Sequence, residues 1–123
     1  MPRQPRLVSP RRGEIYLVNF DPTVGAEIQK TRPALVIQND VANEYSAITI
    51  VAAISSKFSE DLYPTEVLIS ASSSGLLKDS VVLLNQVRSI DCQRLLRKLG
   101  KASEETMAEI DRAIQISFGL VDI

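Results

Sequence analysis

A chain of 123 residues has the length of a single domain. With 45% hydrophobic and 24% charged residues it is neither low-complexity nor disordered, and no apolar run approaches the ~18 residues needed to cross a bilayer. Fourteen Lys and Arg against fifteen Asp and Glu leave a net charge of −1, so overall charge points to no partner.

Residues 1–12, MPRQPRLVSPRR, hold three prolines and four arginines and little that packs. They lack the apolar centre of a signal peptide and read as a flexible basic arm ahead of one domain at 13–123. Glu14 to Phe20 (EIYLVNF) is rich in β-formers and predicts a strand. The loop DPTVGAEIQKTR, Asp21 to Arg32, is far longer than the usual hairpin connection of about 2–5 residues, which points to a functional or a mobile segment. Pro33 biases Arg32 toward extended backbone. A guanidinium held there would suit a phosphate, whose oxygens match its donor fork, and it would equally suit a pairing with Glu27 in the same loop.

Ala34 to Ile37 and Ala47 to Ile54 are apolar, β-branched runs that predict strands. Ser55, Ser56 and Lys57 end the second run as a polar knot, a position where hydroxyls commonly form turns. Glu66 to Ile69 is a weaker strand. Ser80 to Ile90 predicts a long one, interrupted by Asn85, Gln86 and Arg88. Adjacent strand residues face opposite ways, so at least one of Asn85 and Gln86 needs a partner or an exposed site.

The period changes over 103–121. Ser103 can cap a helix, Glu104 and Glu105 suit its first turn, and Met107, Ile110, Ile114, Phe118 and Val121 form one apolar stripe, with Gly119 weakening the last turn. Five strands without intervening helices, followed by one helix, predict a mainly β (α+β) fold: a small antiparallel barrel with a C-terminal amphipathic helix.

The residue inventory limits the chemistry. There is no histidine and one cysteine, Cys92, so no Cys/His zinc site, Ser-His-Asp triad or Cys-His pair can form within one chain. No metal ligand set or cofactor motif is expected. The lone cysteine fits a reducing compartment, hence the cytoplasm. Charge is uneven: residues 1–32 and 81–101 are basic, whereas 33–80 and 102–123 are acidic. Such blocks can build an anion-attracting face or simply a solvated surface.

Taken in order, RRGEIYLVNFDPTVGAEIQKTRPALVI, IVAAISS, DSVVLLNQVRSIDCQRL and EIDRAIQISFGLVDI resemble the MazF/PemK toxin endoribonucleases, or mRNA interferases, over about residues 11–123. The resemblance implies a barrel of the SH3-like type, a homodimer with RNA in a groove at its interface, and a cognate antitoxin that blocks the groove. It implies metal-independent, sequence-specific cleavage of single-stranded RNA by attack of the 2′-OH on the adjacent phosphate. Carried over position by position, the family's catalytic arginine falls on Arg32 and its catalytic threonine on Ser55, which keeps the hydroxyl.

Glu27 and Gln86 fall on RNA-contacting positions, and the neighbouring Gln29, Lys30, Thr31, Ser56, Lys57 and Asn85 extend that set. An Arg-x-Asp pair that some members use for acid–base work is replaced here by Leu83 and Asn85. Two alternatives accompany this reading. One is a catalytically weak or inactive homologue, to which Ser55 in place of threonine lends itself. The other is a gyrase-binding toxin of related fold, acting through its terminal helix.

Overall fold

The structure, a computed structural model, describes residues 9–123. In chain order it contains β1 (Glu14–Asn19), β2 (Thr31–Val36), α1 (Asp40–Tyr45), β3 (Ile48–Ser55) and β4 (Glu66–Ile69). These are followed by α2 (Ala71–Ser74), β5 (Ser80–Asp91), a 3-10 turn (Cys92–Arg94), β6 (Leu95–Lys101) and α3 (Glu104–Ser117). The strands form one six-stranded antiparallel sheet in the order β4-β5-β3-β2-β1-β6. The mainly β expectation holds, with the difference that the ladder of strands stays open rather than closing into a barrel.

Two apolar clusters fill the sheet's two faces. Ile15, Leu35, Ala52, Ile54, Val82 and Leu84 pack with Ile110 and Ala113 of α3. Tyr16, Val18, Phe20, Ala34, Val36 and Val51 pack with Ile90, Cys92 and Leu95. Successive residues of β1 and β2 therefore enter different clusters, as the two-residue period of a strand requires. The sheet's ends approach each other where α2 meets β6. A Cβ on Gly75 would lie 2.2 Å from the Leu99 carbonyl oxygen, and one on Gly100 would lie 2.0 Å from that of Ser74. Only glycines let the two backbones come that close.

Several elements depart from the sequence expectation. β6 is a sixth strand where the sequence showed a basic stretch, LLRKLGK; its charges mark a sheet edge, where they discourage pairing with other chains. Two short helices interrupt the strands. Asn39 caps α1 by accepting from Ala42 N at 2.8 Å, and Ser70 caps α2. β2 begins at Thr31, so Arg32 is a strand residue rather than the end of a loop.

α3 stops at Ser117, leaving Phe118 and Val121 of the expected stripe beyond the helix. Gly119 turns left-handed at φ 73°, its N–H donates to Ile116 O, and Leu120 N donates to Gln115 O. That pair of bonds is a Schellman stop, which satisfies carbonyls the helix would otherwise leave unpaired.

β5 carries an irregularity with consequences for the site. Its pairing with β3 jumps from Ala52↔Val87 to Ala53↔Leu83, so Leu84, Asn85 and Gln86 are extra residues against an unbroken β3. Such a bulge bends the strand and re-aims its side chains. The freed Leu84 carbonyl is taken by Ser117 Oγ of α3 at 2.6 Å.

Arg12, read from sequence as part of the arm, is tied to the domain instead. Its backbone N–H donates to Asp40 Oδ1 at 2.6 Å, its Nε to Ile37 O at 2.9 Å, and its Nη2 to Asp111 Oδ1 at 2.6 Å. The Arg12 backbone N–H is the main reason the Asp40 carboxyl lies below its usual range. Residues 1–8 of the arm lie outside the described residues. Among the described residues no helix is long and apolar enough to cross a membrane.

Candidate active site

Arg32, the second residue of β2, lies opposite Val18 of β1 and is exposed. Its Nε donates to Gln29 O at 3.4 Å, which leaves the rest of the guanidinium fork free. The pairing with Glu27 that the sequence left open does not form. Glu27 Oε1 instead accepts from Val24 N at 2.6 Å, and no ion pair among the described residues involves Arg32. Ser55 ends β3, where its Oγ accepts from Lys57 N at 3.1 Å and donates to Lys57 O at 3.2 Å.

Arg32 and Ser55 line one cleft of about 600 Å³, together with Ser56 and Lys57. Its apolar wall comes from Leu17, Ile28, Pro33, Ile54 and Leu76, among others. Lys78, Arg97 and Lys98 also line it, so five cations meet there, and no carboxylate does among the described residues. Lys98 is neutralised by Glu14 at 2.6 Å; Arg32, Lys57, Lys78 and Arg97 form no ion pair among the described residues. A concave, partly apolar surface ringed by unpaired cations can hold a polyanion by its phosphates and its flat apolar groups at once.

Glu27, Asn85 and Gln86 gather elsewhere. With Phe20, Ile28, Val87 and Arg88 they line a second cleft of about 160 Å³, and Ile28 is common to both clefts. Gln29, Lys30 and Thr31 are exposed on the segment between and line neither cleft. The structure thus divides the sequence-predicted residues into two groups, one around Arg32 and Ser55, the other around the β5 bulge.

The segment between β1 and β2 is tied at its neck and along its length. Phe20 N donates to Lys30 O at 2.9 Å, and Lys30 N to Asp21 Oδ1 at 2.8 Å. These bonds hold Lys30 at φ 67°, a conformation that costs a non-glycine residue roughly 1–2 kcal/mol. From the protein side, Arg88 Nη1 donates to Phe20 O at 2.5 Å, and Arg94 Nη1 to Asn19 O at 3.0 Å and Asp21 O at 2.5 Å. Gln86 reaches Ile28 N and Ala26 O.

Lys78, Arg97 and Lys98 were not singled out from the sequence. The surplus of positive charge over 81–101 was the available signal for the last two; nothing marked Lys78, which stands in an acidic stretch.

A family model described as "PemK-like, MazF-like toxin of type II toxin-antitoxin system" matches residues 11–118. The chain is 45% identical over 112 residues to Endoribonuclease EndoA of Bacillus subtilis, covering 91% of this chain and 97% of that protein. Among solved structures it is similar to MazF (Form-I) from Deinococcus radiodurans, with a TM-score of 0.79, 28% identity, and coverage of 91% of this chain and 98% of that one. It is also similar to MazE-MazF (Form-II) from the same organism, with a TM-score of 0.72, 26% identity, and coverage of 91% and 97%. The fold, the order of the motifs and the family match agree, and the chain belongs to the PemK-like, MazF-like toxins of type II toxin–antitoxin systems.

Proposed function

We propose that this toxin is an endoribonuclease that cuts single-stranded RNA in the cleft holding Arg32 and Ser55. The observation that carries the reading is that cleft's charge: five cations converge there, four of them without an ion pair among the described residues, in a chain whose net charge is −1. Phosphates supply the matching ligand, and in this reading Lys57, Lys78 and Arg97 hold the RNA backbone. The apolar wall suits bases splayed from a single strand, which a duplex keeps stacked.

In the reaction the substrate's own 2′-oxygen attacks the adjacent phosphorus as the 5′-oxygen leaves. The products are a 2′,3′-cyclic phosphate and a 5′-OH; the 2′-OH gives up its proton and the leaving oxygen takes one up. Arg32 stays protonated throughout, because its pKa exceeds about 12. It acts by charge, stabilising the extra negative charge on the phosphorane oxygens, an interaction that strengthens as the transition state forms. Ser55 exchanges its bond to Lys57 O for one to a phosphate oxygen or to the 2′-oxygen, and so fixes the line of attack. Glu27 lines the other cleft, with Oε1 accepting from Val24 N, and this reading assigns it no proton transfer.

The working unit in this reading is a cytoplasmic homodimer, inhibited by a cognate antitoxin that occupies the same basic surface. The structural similarity to MazE-MazF is consistent with such a partner. The gyrase-binding alternative would place function on the terminal helix and would leave the basic cleft without a role.

The test is incubation of the purified protein with a long single-stranded RNA in EDTA, followed by primer extension and end-group analysis. Discrete cuts at one recurring short motif, with cyclic phosphate ends, are expected. Intact RNA, or equally fast cutting of a matched duplex, would overturn the reading.

A further inference from the structure

Gln86 stands in the β5 bulge, which releases its side chain from the sheet and turns it to the segment between β1 and β2. Both ends of its amide are engaged there. Oε1 accepts from Ile28 N at 3.1 Å, and Nε2 donates to Ala26 O at 3.3 Å. One donor and one acceptor set against a backbone N–H and a backbone carbonyl hold that backbone as a neighbouring strand would. Ile28 is the residue that lines both clefts. The next carbonyl along the chain, Gln29 O, accepts from Arg32 Nε at 3.4 Å. A continuous path therefore runs from the bulge through Ile28 to the guanidinium.

We propose that Gln86 is a positioning residue for cleavage: by clasping Ala26 and Ile28 it fixes the peptide segment whose carbonyl orients Arg32. The proposal rests on the nuclease reading for its catalytic consequence, though not for the clasp itself. It assigns Gln86 a part in rate, acting through Arg32, that contact with RNA bases would not give it. It also accounts for the polar interruption of an otherwise apolar strand. A leucine in the bulge would fill the same space and leave the Ile28 N–H without its partner.

The test compares wild type with Gln86→Met, which keeps the length and removes both bonds, and Gln86→Glu, which keeps an acceptor for Ile28 N. Amide exchange is followed at Ile28 in the RNA-free protein, and kcat and KM are measured on a single-stranded RNA. Gln86→Met is expected to exchange at Ile28 at least tenfold faster and to lose about 10- to 100-fold in kcat, a misalignment-sized effect. Gln86→Glu is expected to keep Ile28 protected and to hold kcat within about tenfold of wild type, and should Gln86→Met fail to fold, lost Ile28 protection with kcat intact in Gln86→Glu would overturn the proposal.

Unchanged Ile28 protection in Gln86→Met would overturn the proposal. So would a changed KM or cut motif with kcat intact, the pattern of a residue that reads a base. Failure of the wild type to cut RNA would strike the nuclease reading alone, because the exchange measurement contains no RNA.

Discussion

At the scale of single residues, the hydroxyl of Ser55 has its partners on Lys57, two positions on. An Oγ in such a turn is aimed by the backbone, so a threonine, whose oxygen can occupy the same position, preserves the arrangement. Ser55→Thr is expected to keep or raise the cleavage rate and Ser55→Ala to lower it about 10- to 100-fold, measured under single-turnover conditions. Equal rates for all three would show the hydroxyl to be idle.

Tyr16 gives a pH signature instead. It is 6% exposed, and its OH donates to Glu14 Oε1 at 3.3 Å. Burial first, and the Glu14 charge second, push the phenol from 10.0 up to about 12. The unfolded chain then releases this proton at a lower pH than the folded one. The contribution of Tyr16 to stability is therefore constant below pH 10.0 and declines as the pH rises toward about 12. Denaturant midpoints of wild type and Tyr16→Phe are expected to keep a fixed separation at neutral pH and to shift against the wild type above pH 10.0.

Among the elements, the junction of α2 with β6 is the most exacting. Gly100 has no room for a methyl group, since its Cβ would meet Ser74 O at 2.0 Å, backbone against backbone. Gly100→Ala is expected to destabilise the fold by about 2–3 kcal/mol, read from denaturant unfolding, with loss of cleft geometry at neighbouring Leu99 and Gly75.

Neither glycine's role was legible in the sequence, because the constraint comes from a chain segment 25 positions away. β1, β3, β4, β5 and the body of α3 were legible, since each has an apolar period or run long enough to register. α1 and α2, at six and four residues, are too short to show a helical period and are set by their Asn39 and Ser70 caps. β6 was hidden because an edge strand rich in Lys and Arg looks like a charged loop. The start of β2 was hidden because Thr31 and Arg32 extend beyond the apolar run that marked it.

For the whole molecule, the basic cleft is assembled from separate stretches of chain. Arg32 comes from one basic segment and Arg97 and Lys98 from the other, while Lys57 and Lys78 are the two cations of the acidic segment between them. The sequence carried the identity of the Arg32–Ser55 pair through the motifs TRPALV and IVAAISS. It could not carry the convergence on Lys78, which depends on how α2 and β5 are joined. Nor could it show that Glu27 and Gln86 face a different cleft, which depends on the bulge.

The central claim is that Arg32 supplies transition-state charge stabilisation in that cleft, and single-turnover cleavage of one mapped RNA site by Arg32→Ala tests it most directly. Arg32 is exposed and outside both apolar clusters, so the variant is expected to melt as the wild type does. Its rate is expected to fall by about 10²–10³-fold. A folded Arg32→Ala protein that cuts the same site within a few-fold of the wild-type rate would contradict the account.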